Sequence, residues 1–258
     1  MIRYFAQVEY EGTHYHGFQS QRNTKKTVQY HLEEALGKVG NEKIGIVCSG
    51  RTDTGVHALN QVIHFDTKSK RSSDSWVKGG NRYLPSDITI KKVLKVNDSF
   101  HARFSATSRT YVYLIRNSNT PGGIDSMRSL WCSDSLDEKK MNSAAKKLLG
   151  EKDFSSFRAA GCQSKSSKRK ISFAEVTRAN KYIMIRITAN AFMLNMMRII
   201  VGTLINVGKK EISIMDFTQI IKAKNRRLAG KTVSPSGLYF IGPSYDDVEY
   251  LQDDLEII

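Results

Sequence analysis

Hydrophobic and polar positions alternate with period two from Ile2 to Tyr10, which predicts an opening strand. The pattern then changes. Apolar residues at Val28, Leu32, Ala35, Leu36 and Val39 follow a helical period, with Thr27 as N-cap and Gly40 as the stop. Strands are predicted near Ile44–Cys48 and Leu59–Phe65, a short helix over Asp74–Tyr83 halted by Pro85, and a strand over Ile88–Val96. The order is βαββαβ. From Arg109 it recurs: a strand to Arg116, a helix with a Ser135/Glu138 capping box ending at Gly150, and a hairpin of Ser172–Arg178 and Lys181–Thr188 about Ala179-Asn180. An apolar helix over Phe192–Val207 stopped by Gly208, an extra helix after the Ser213/Asp216 capping signal, and a strand near Leu238–Ile241 complete it. The pattern predicts an α+β protein of two split-βαβ, ferredoxin-like halves with helices on one sheet face. Residues 1–105 form the first half, 106–244 the second, and 245–258 an acidic tail.

Charge changes the picture from fold to partner. The 258 residues carry a formal +15, and the six acids between Tyr245 and Ile258 stand there without a Lys or Arg, so the body is six charges more basic still. A body of that charge favours a polyanion, nucleic acid first. Two sheets side by side would leave a cleft for basic residues to line. The run Gln163–Lys170, with Lys165, Lys168, Arg169 and Lys170, reads as a mobile phosphate-binding loop, and Lys222, Lys224, Arg226, Arg227 and Lys231 as a second basic cluster. A solvated face is the plainer account of either. The acidic tail is open to three readings: disordered, packed on the body, or repelling RNA from one face.

Three cysteines, Cys48, Cys132 and Cys162, make no CxxC pair and are odd in number, which argues against a disulfide framework or a zinc cluster and predicts a reducing compartment. Met1-Ile2-Arg3-Tyr4-Phe5 lacks the apolar core of a signal peptide, and the most apolar stretch, 191–207, is interrupted by Asn195 and Arg198. A cytoplasmic, non-membrane protein is expected. His14 and His16, without acidic or cysteine company, read as polar loop residues rather than metal ligands.

The candidate chemistry lies in Cys48-Ser49-Gly50-Arg51-Thr52-Asp53-Thr54-Gly55-Val56-His57, between two predicted strands. Gly50 and Gly55 free the backbone for a tight connection that presents one carboxylate, Asp53, with Arg51 two residues before it. A surface hairpin accounts for the segment equally well. Asp53-Thr54-Gly55 is also the triplet of aspartic proteases, which need two such carboxylates, and this chain has one copy. A non-catalytic RNA-binding protein on paired split-βαβ units is a further alternative.

Seven blocks in order resemble the tRNA pseudouridine synthase A family. They are Tyr10–Gln19 with Thr27-Val28-Gln29, Gly50–Ala58, Phe100–Ala106, Arg109–Tyr113, Phe157–Gln163, Phe192–Arg198 and Ala229–Thr232. Phe18 stands where the family usually has Trp, and Lys231 and Ser234 where it often has Pro. The resemblance implies the pseudouridine synthase fold and isomerisation of uridine to pseudouridine without cofactor or metal, at positions 38 to 40 of the tRNA anticodon stem-loop, by a homodimer. It makes Asp53 the catalytic carboxylate, attacking ribose C1′ or base C6, or removing a ribose proton. It makes Arg198 the partner that holds Asp53 ionised, Arg51 a holder of RNA or an aid to base flipping, and Tyr111 the ring against the extruded uracil. On pattern alone Tyr111 and Tyr113 alternate on a strand and read as core, and Arg198 reads as a snorkelling residue or a buried cation needing an acid.

Overall fold

The computed structural model describes residues 1–250, Gln252 and Asp254. The chain divides into two compact units, Met1–Thr107 together with the stretch that begins at Tyr239, and Ser108–Leu238. Each is α+β.

In the first unit β1 (Ile2–Tyr10), α1 (Val28–Gly40), β2 (Ile46–Cys48), β3 (His57–Thr67), α2 (Ser73–Tyr83) and β4 (Ile88–Lys95) realise the βαββαβ order. β1 lies between β4 and β3, antiparallel to both. β2 pairs antiparallel with β3 from Ile46 opposite Phe65 to Cys48 opposite Ile63. Thr27 caps α1 as its spacing predicts, accepting from the Tyr30 N–H, whereas the helix closes one residue past Gly40, on Asn41 in the left-handed region. α2 ends at Tyr83, with Leu84 as its C-cap directly before Pro85.

Residues 4–8 of β1 are buried in unbroken succession. Successive side chains of a strand face opposite ways, so both faces of this sheet are covered. On one face Tyr4, Phe65 and the fully buried Trp76 of α2 pack together. On the other, Phe5 meets Phe100, Tyr245 and Tyr250. The acidic segment is thus packed on the body as far as Tyr250; Asp253 and Glu256 lie outside the described residues. Between the packed layers, β10 (Leu238–Ser244) runs parallel to β3, with Tyr239 opposite His57.

The second unit contains β5 (Ser108–Asn117), β6 (Leu130–Cys132), α3 (Glu138–Ala145), β7 (Gly150–Asp153), β8 (Lys168–Ala179), β9 (Tyr182–Ala189), α4 (Met196–Gly208) and α5 (Ile214–Ala223). Its sheet runs β5-β9-β8-β7 antiparallel, with β6 parallel to β5. Two short strands, β6 and β7, add to the expected pattern. The α3 cap is Asp137, which accepts from the Lys140 N–H, in place of Ser135; a 3-10 turn over Lys146–Leu148 follows, and Gly150 opens a strand. The Ser213/Asp216 capping box of α5 is present in both directions. The final strand, expected with the second half, is grouped from Tyr239 with the first unit. Among the described residues no helix is long and apolar enough to cross a membrane.

Candidate active site

The Asp53 loop is held from its flanking strands. Past the end of β2, the Ser49 N–H donates to Val62 O at 2.8 Å and its Oγ to Gln61 Oε1 at 2.8 Å. Gln61 Nε2 in turn donates to Gly50 O at 2.7 Å and to Tyr10 Oη at 3.3 Å, and that hydroxyl meets Thr52 Oγ1 at 2.8 Å. Tyr10, Thr52 and Gln61 are all buried, so these bonds are exchanged for no water and fix the loop's backbone. Beyond Asp53 the Val56 N–H closes onto Asp53 O at 3.2 Å, with Gly55 at φ 77°.

A second loop braces the first. Gly17 sits at φ 83°, and a Cβ there would come within 2.8 Å of Thr52 O; a Cβ on Gly12 would overlap the Val56 carbonyl. The Phe18 N–H donates to Thr52 O at 3.1 Å, and the Gly12 N–H to Nδ1 of His57, whose ring stacks on Tyr239 at 4.8 Å. Glycine is thus required at both ends of the Gly12–Gly17 turn. His14 and His16 are exposed on it, as loop residues.

Asp53 is half-buried at the apex and Arg51 is exposed beside it. Burial pushes the Cys48 thiol up to about 11, against the pull of the Arg51 and Arg103 charges, so the thiol is protonated at neutral pH and offers no competing nucleophile. Asp53 is the loop's one carboxylate.

Tyr111 and Arg198 belong to the second unit. Tyr111, central on β5, is 9% exposed, with Phe192 edge-on at 4.8 Å and 70°. Arg198, in the first turn of α4, is half-buried; its Nε donates to Val233 O at 2.7 Å and its Nη1 to Asn195 Oδ1 at 2.8 Å. Asn195 stands at φ 57° where α4 begins, so the segment 192–198 carries both the ring on Tyr111 and the anchor of Arg198. Tyr113 Oη donates to Ser234 O at 2.6 Å, fixing the residue that follows Arg198's acceptor.

The basic run differs from a mobile loop. Lys165 is exposed in a loop, but Lys168, Arg169 and Lys170 open β8, with Arg169 opposite Lys152 of β7. Lys168 and Lys170 face solvent, whereas Arg169 is only 9% exposed. Its guanidinium donates inward, to Ser166 O, Lys168 O and Ser164 Oγ, while Arg158 reaches the same loop through Cys162 O and Ser164 O, both at 2.7 Å. Two adjacent arginines therefore shape the loop from beneath, and Arg169 is a structural cation where a phosphate contact is expected. In the other basic cluster Lys224 pairs with Asp153 at 3.4 Å and Arg226 is spent on Ala229 O and Thr232 Oγ1. Alternation and charge reveal neither the Gly12–Gly17 brace nor the Arg158/Arg169 pair, because both are contacts between segments distant in sequence.

A family model described as tRNA pseudouridine synthase matches residues 6–105 and 144–246. Over 246 residues the chain is 47% identical to the tRNA pseudouridine synthase A of Colwellia psychrerythraea, covering 95% of each. It is 48% identical over 241 residues to the enzyme of the same name from Vibrio campbellii, covering 93% of this chain and 90% of that one. A third relative so named, from Pseudoalteromonas atlantica, is 45% identical over 240 residues, 93% of this chain and 91% of its own. The matched segments contain the braced Asp53 loop of one unit and the Arg198 turn of the other, and the chain belongs to the tRNA pseudouridine synthase family, isomerases that act on uridine in tRNA.

Proposed function

We propose that this enzyme forms pseudouridine at positions 38, 39 and 40 of the tRNA anticodon stem-loop, with Asp53 as its catalytic carboxylate and no cofactor or metal. The observation that carries this reading is the Asp53 loop itself: one half-buried acid at the apex of a turn in which Ser49, Gly50 and Thr52 are tied by hydrogen bonds to the buried Gln61 and Tyr10. A group held in one place loses little freedom on reaching the reacting atoms. A carboxylate suits the reaction in each of its forms, as nucleophile at ribose C1′ or base C6 or as base toward a ribose proton, because it needs no prior activation at neutral pH.

The remaining assignments follow the same reading. Arg198 holds Asp53 ionised, since an adjacent guanidinium favours the charged acid. Arg51, exposed on the same loop, engages the RNA as the target base leaves its stack. Tyr111 contacts the extruded uracil, and Lys165, Lys168 and Lys170 contact phosphates. The enzyme works as a homodimer in the cytoplasm, where its free cysteines Cys48, Cys132 and Cys162 stay reduced.

The test is position-resolved mapping of pseudouridine in an unmodified tRNA transcript, with Asp53→Ala beside the unaltered protein and EDTA in a parallel reaction. Modification confined to positions 38–40, lost in Asp53→Ala with tRNA binding kept, and indifferent to EDTA, is the expected result. Turnover by Asp53→Ala would sink the catalytic assignment, product at other positions the substrate assignment, and metal-reversible inhibition the cofactor-free chemistry.

A further inference from the structure

Within the first unit one aromatic ring is out of place for a folded protein. Phe104 is 77% exposed, far more than Tyr83 at 48%, the other exposed aromatic of that unit. The ring stands on a fixed turn. His101 Nδ1 accepts from the N–H groups of Arg103 at 3.2 Å and Phe104 at 3.1 Å, and the Ser105 N–H returns to His101 O at 2.9 Å. Beneath it, the Ala102 N–H donates to His64 Nδ1 at 3.1 Å and Ala102 O accepts from Tyr245 Oη at 2.6 Å. The rings form a column: His101 lies 4.7 Å from His64, and Phe104 stacks on His101 at 4.3 Å and 27°.

The turn also lies beside the catalytic strand pair. His64 is opposite Val47 of β2, whose next residue leads into the Asp53 loop, and the charges of Arg51 and Arg103 are both felt at Cys48. The Arg103 guanidinium is 5.7 Å from the Phe104 ring centre.

We infer that the turn over residues 101–104 is an RNA-binding platform, on which Phe104 stacks an unpaired base of the tRNA while Arg103 meets an adjacent phosphate. An aromatic ring already stacked on one side and carried on a hydrogen-bonded turn binds a second ring at small entropic cost, and every base offers such a face. A lone ring bordered by arginine, in a chain of +15, matches a nucleotide better than a second protein surface, which needs a contiguous apolar patch. The inference rests on tRNA as substrate and not on which uridine is modified or on the role of Asp53.

The test is binding of the full chain to a fluorescently labelled, unmodified tRNA transcript, read by anisotropy, for Phe104→Leu and Phe104→Trp, with sedimentation and melting of each variant. Loss of stacking weakens binding roughly tenfold in Phe104→Leu, while Phe104→Trp stays within about twofold of the unaltered chain. Both variants melt and sediment like the unaltered chain. Unchanged affinity in Phe104→Leu, equal loss in both variants, or a smaller sedimenting species in Phe104→Leu, which would make the ring a contact between copies, overturns the inference. Because binding is read without turnover, a failure of the Asp53 or position assignments leaves this result standing.

Discussion

Gly12 bears on the position of Asp53 through the Val56 backbone. Its missing Cβ is the space into which the Val56 carbonyl fits, so Gly12→Ala must displace backbone rather than a flexible side chain. The expected outcome is a loss of a few kcal/mol, about 2 or more, with turnover down at least 100-fold while the fold persists; thermal melting and single-turnover rates check it. Tyr10→Phe is milder. It removes the hydroxyl shared by Thr52 and Gln61, leaves buried groups without that partner, and is expected to cost about 1–2 kcal/mol in chemical denaturation. At Tyr111 the contest is between ring and hydroxyl: if the ring contacts the base, Tyr111→Phe keeps more tRNA affinity than Tyr111→Leu, and equal loss points to the phenol. The carboxylate and its glycine setting were legible in the sequence because glycine and turn residues carry their meaning locally. The brace was not, since Gly12 and Val56 are 44 positions apart and nothing in either segment announces the other.

Elements with a full period were readable; of the three shortest strands only β2 was expected, from the apolar Ile44, Ile46 and Val47 before the glycine turn. β1, α1, the body of α4 and the turn end of the β8–β9 hairpin follow from repeats of seven or more residues, although α4 begins at Met196 and not at Phe192, because Asn195 before it is left-handed, while nothing in the three and four residues of β6 and β7 marks them. β8 begins at Lys168, four residues before its predicted start at Ser172, because backbone pairing with β7 is indifferent to the charge of Lys168, Arg169 and Lys170, and burial of Arg169 depends on carbonyls a sequence does not display. The cap of α3 moved from Ser135 to Asp137 because both are competent cap residues and the Leu136 side chain is buried between them. On β3, His64 supplies a pH dependence. Burial, with the Arg3 and His101 charges opposing protonation and Asp66 favouring it, lowers its pKa from 6.5 to about 4. Between those values the unfolded chain holds more protons, so stability is full above about 6.5 and falls as pH drops toward 4. Asp66, held below its ordinary value by its hydrogen bond to Arg3, adds a loss of the same sign at lower pH. Melting followed from pH 7 to 4 is expected to decline by the equivalent of on the order of 2 kcal/mol, and His64→Gln to flatten the slope.

At the scale of the whole molecule, the chain divides into two α+β units, and β10 is grouped from Tyr239 with the first and not with the second half, where its place in the chain puts it. Strand order along a chain does not state which sheet a strand joins, and β10 lies parallel to β3, some 180 residues distant, where Asn60 Nδ2 donates to Ile241 O at 2.7 Å. The acidic segment was likewise ambiguous, since its charges mark it as solvent while Tyr245, Val248 and Tyr250 between them form a face against Phe5. Tyr250→Ala is expected to destabilise the first unit by about 2–3 kcal/mol, read as earlier amide exchange in β1 and β4 with the second unit unchanged.

The return of β10 also sets an order in time. A ribosome emits residues 1–107 first, yet the partner of the His57–Ala58 end of β3 and part of the cover over Phe5 come from residues made after all of 108–238. The unit that bears Asp53 must therefore wait through the synthesis of the other with the His57–Ala58 end of β3 unpaired by β10 and Phe5 covered by Phe100 but not by Tyr245 and Tyr250, a condition that invites chaperone capture. Nascent chains stalled before Tyr239 should expose β1 and β3 to protease, and release of the completed chain should close them.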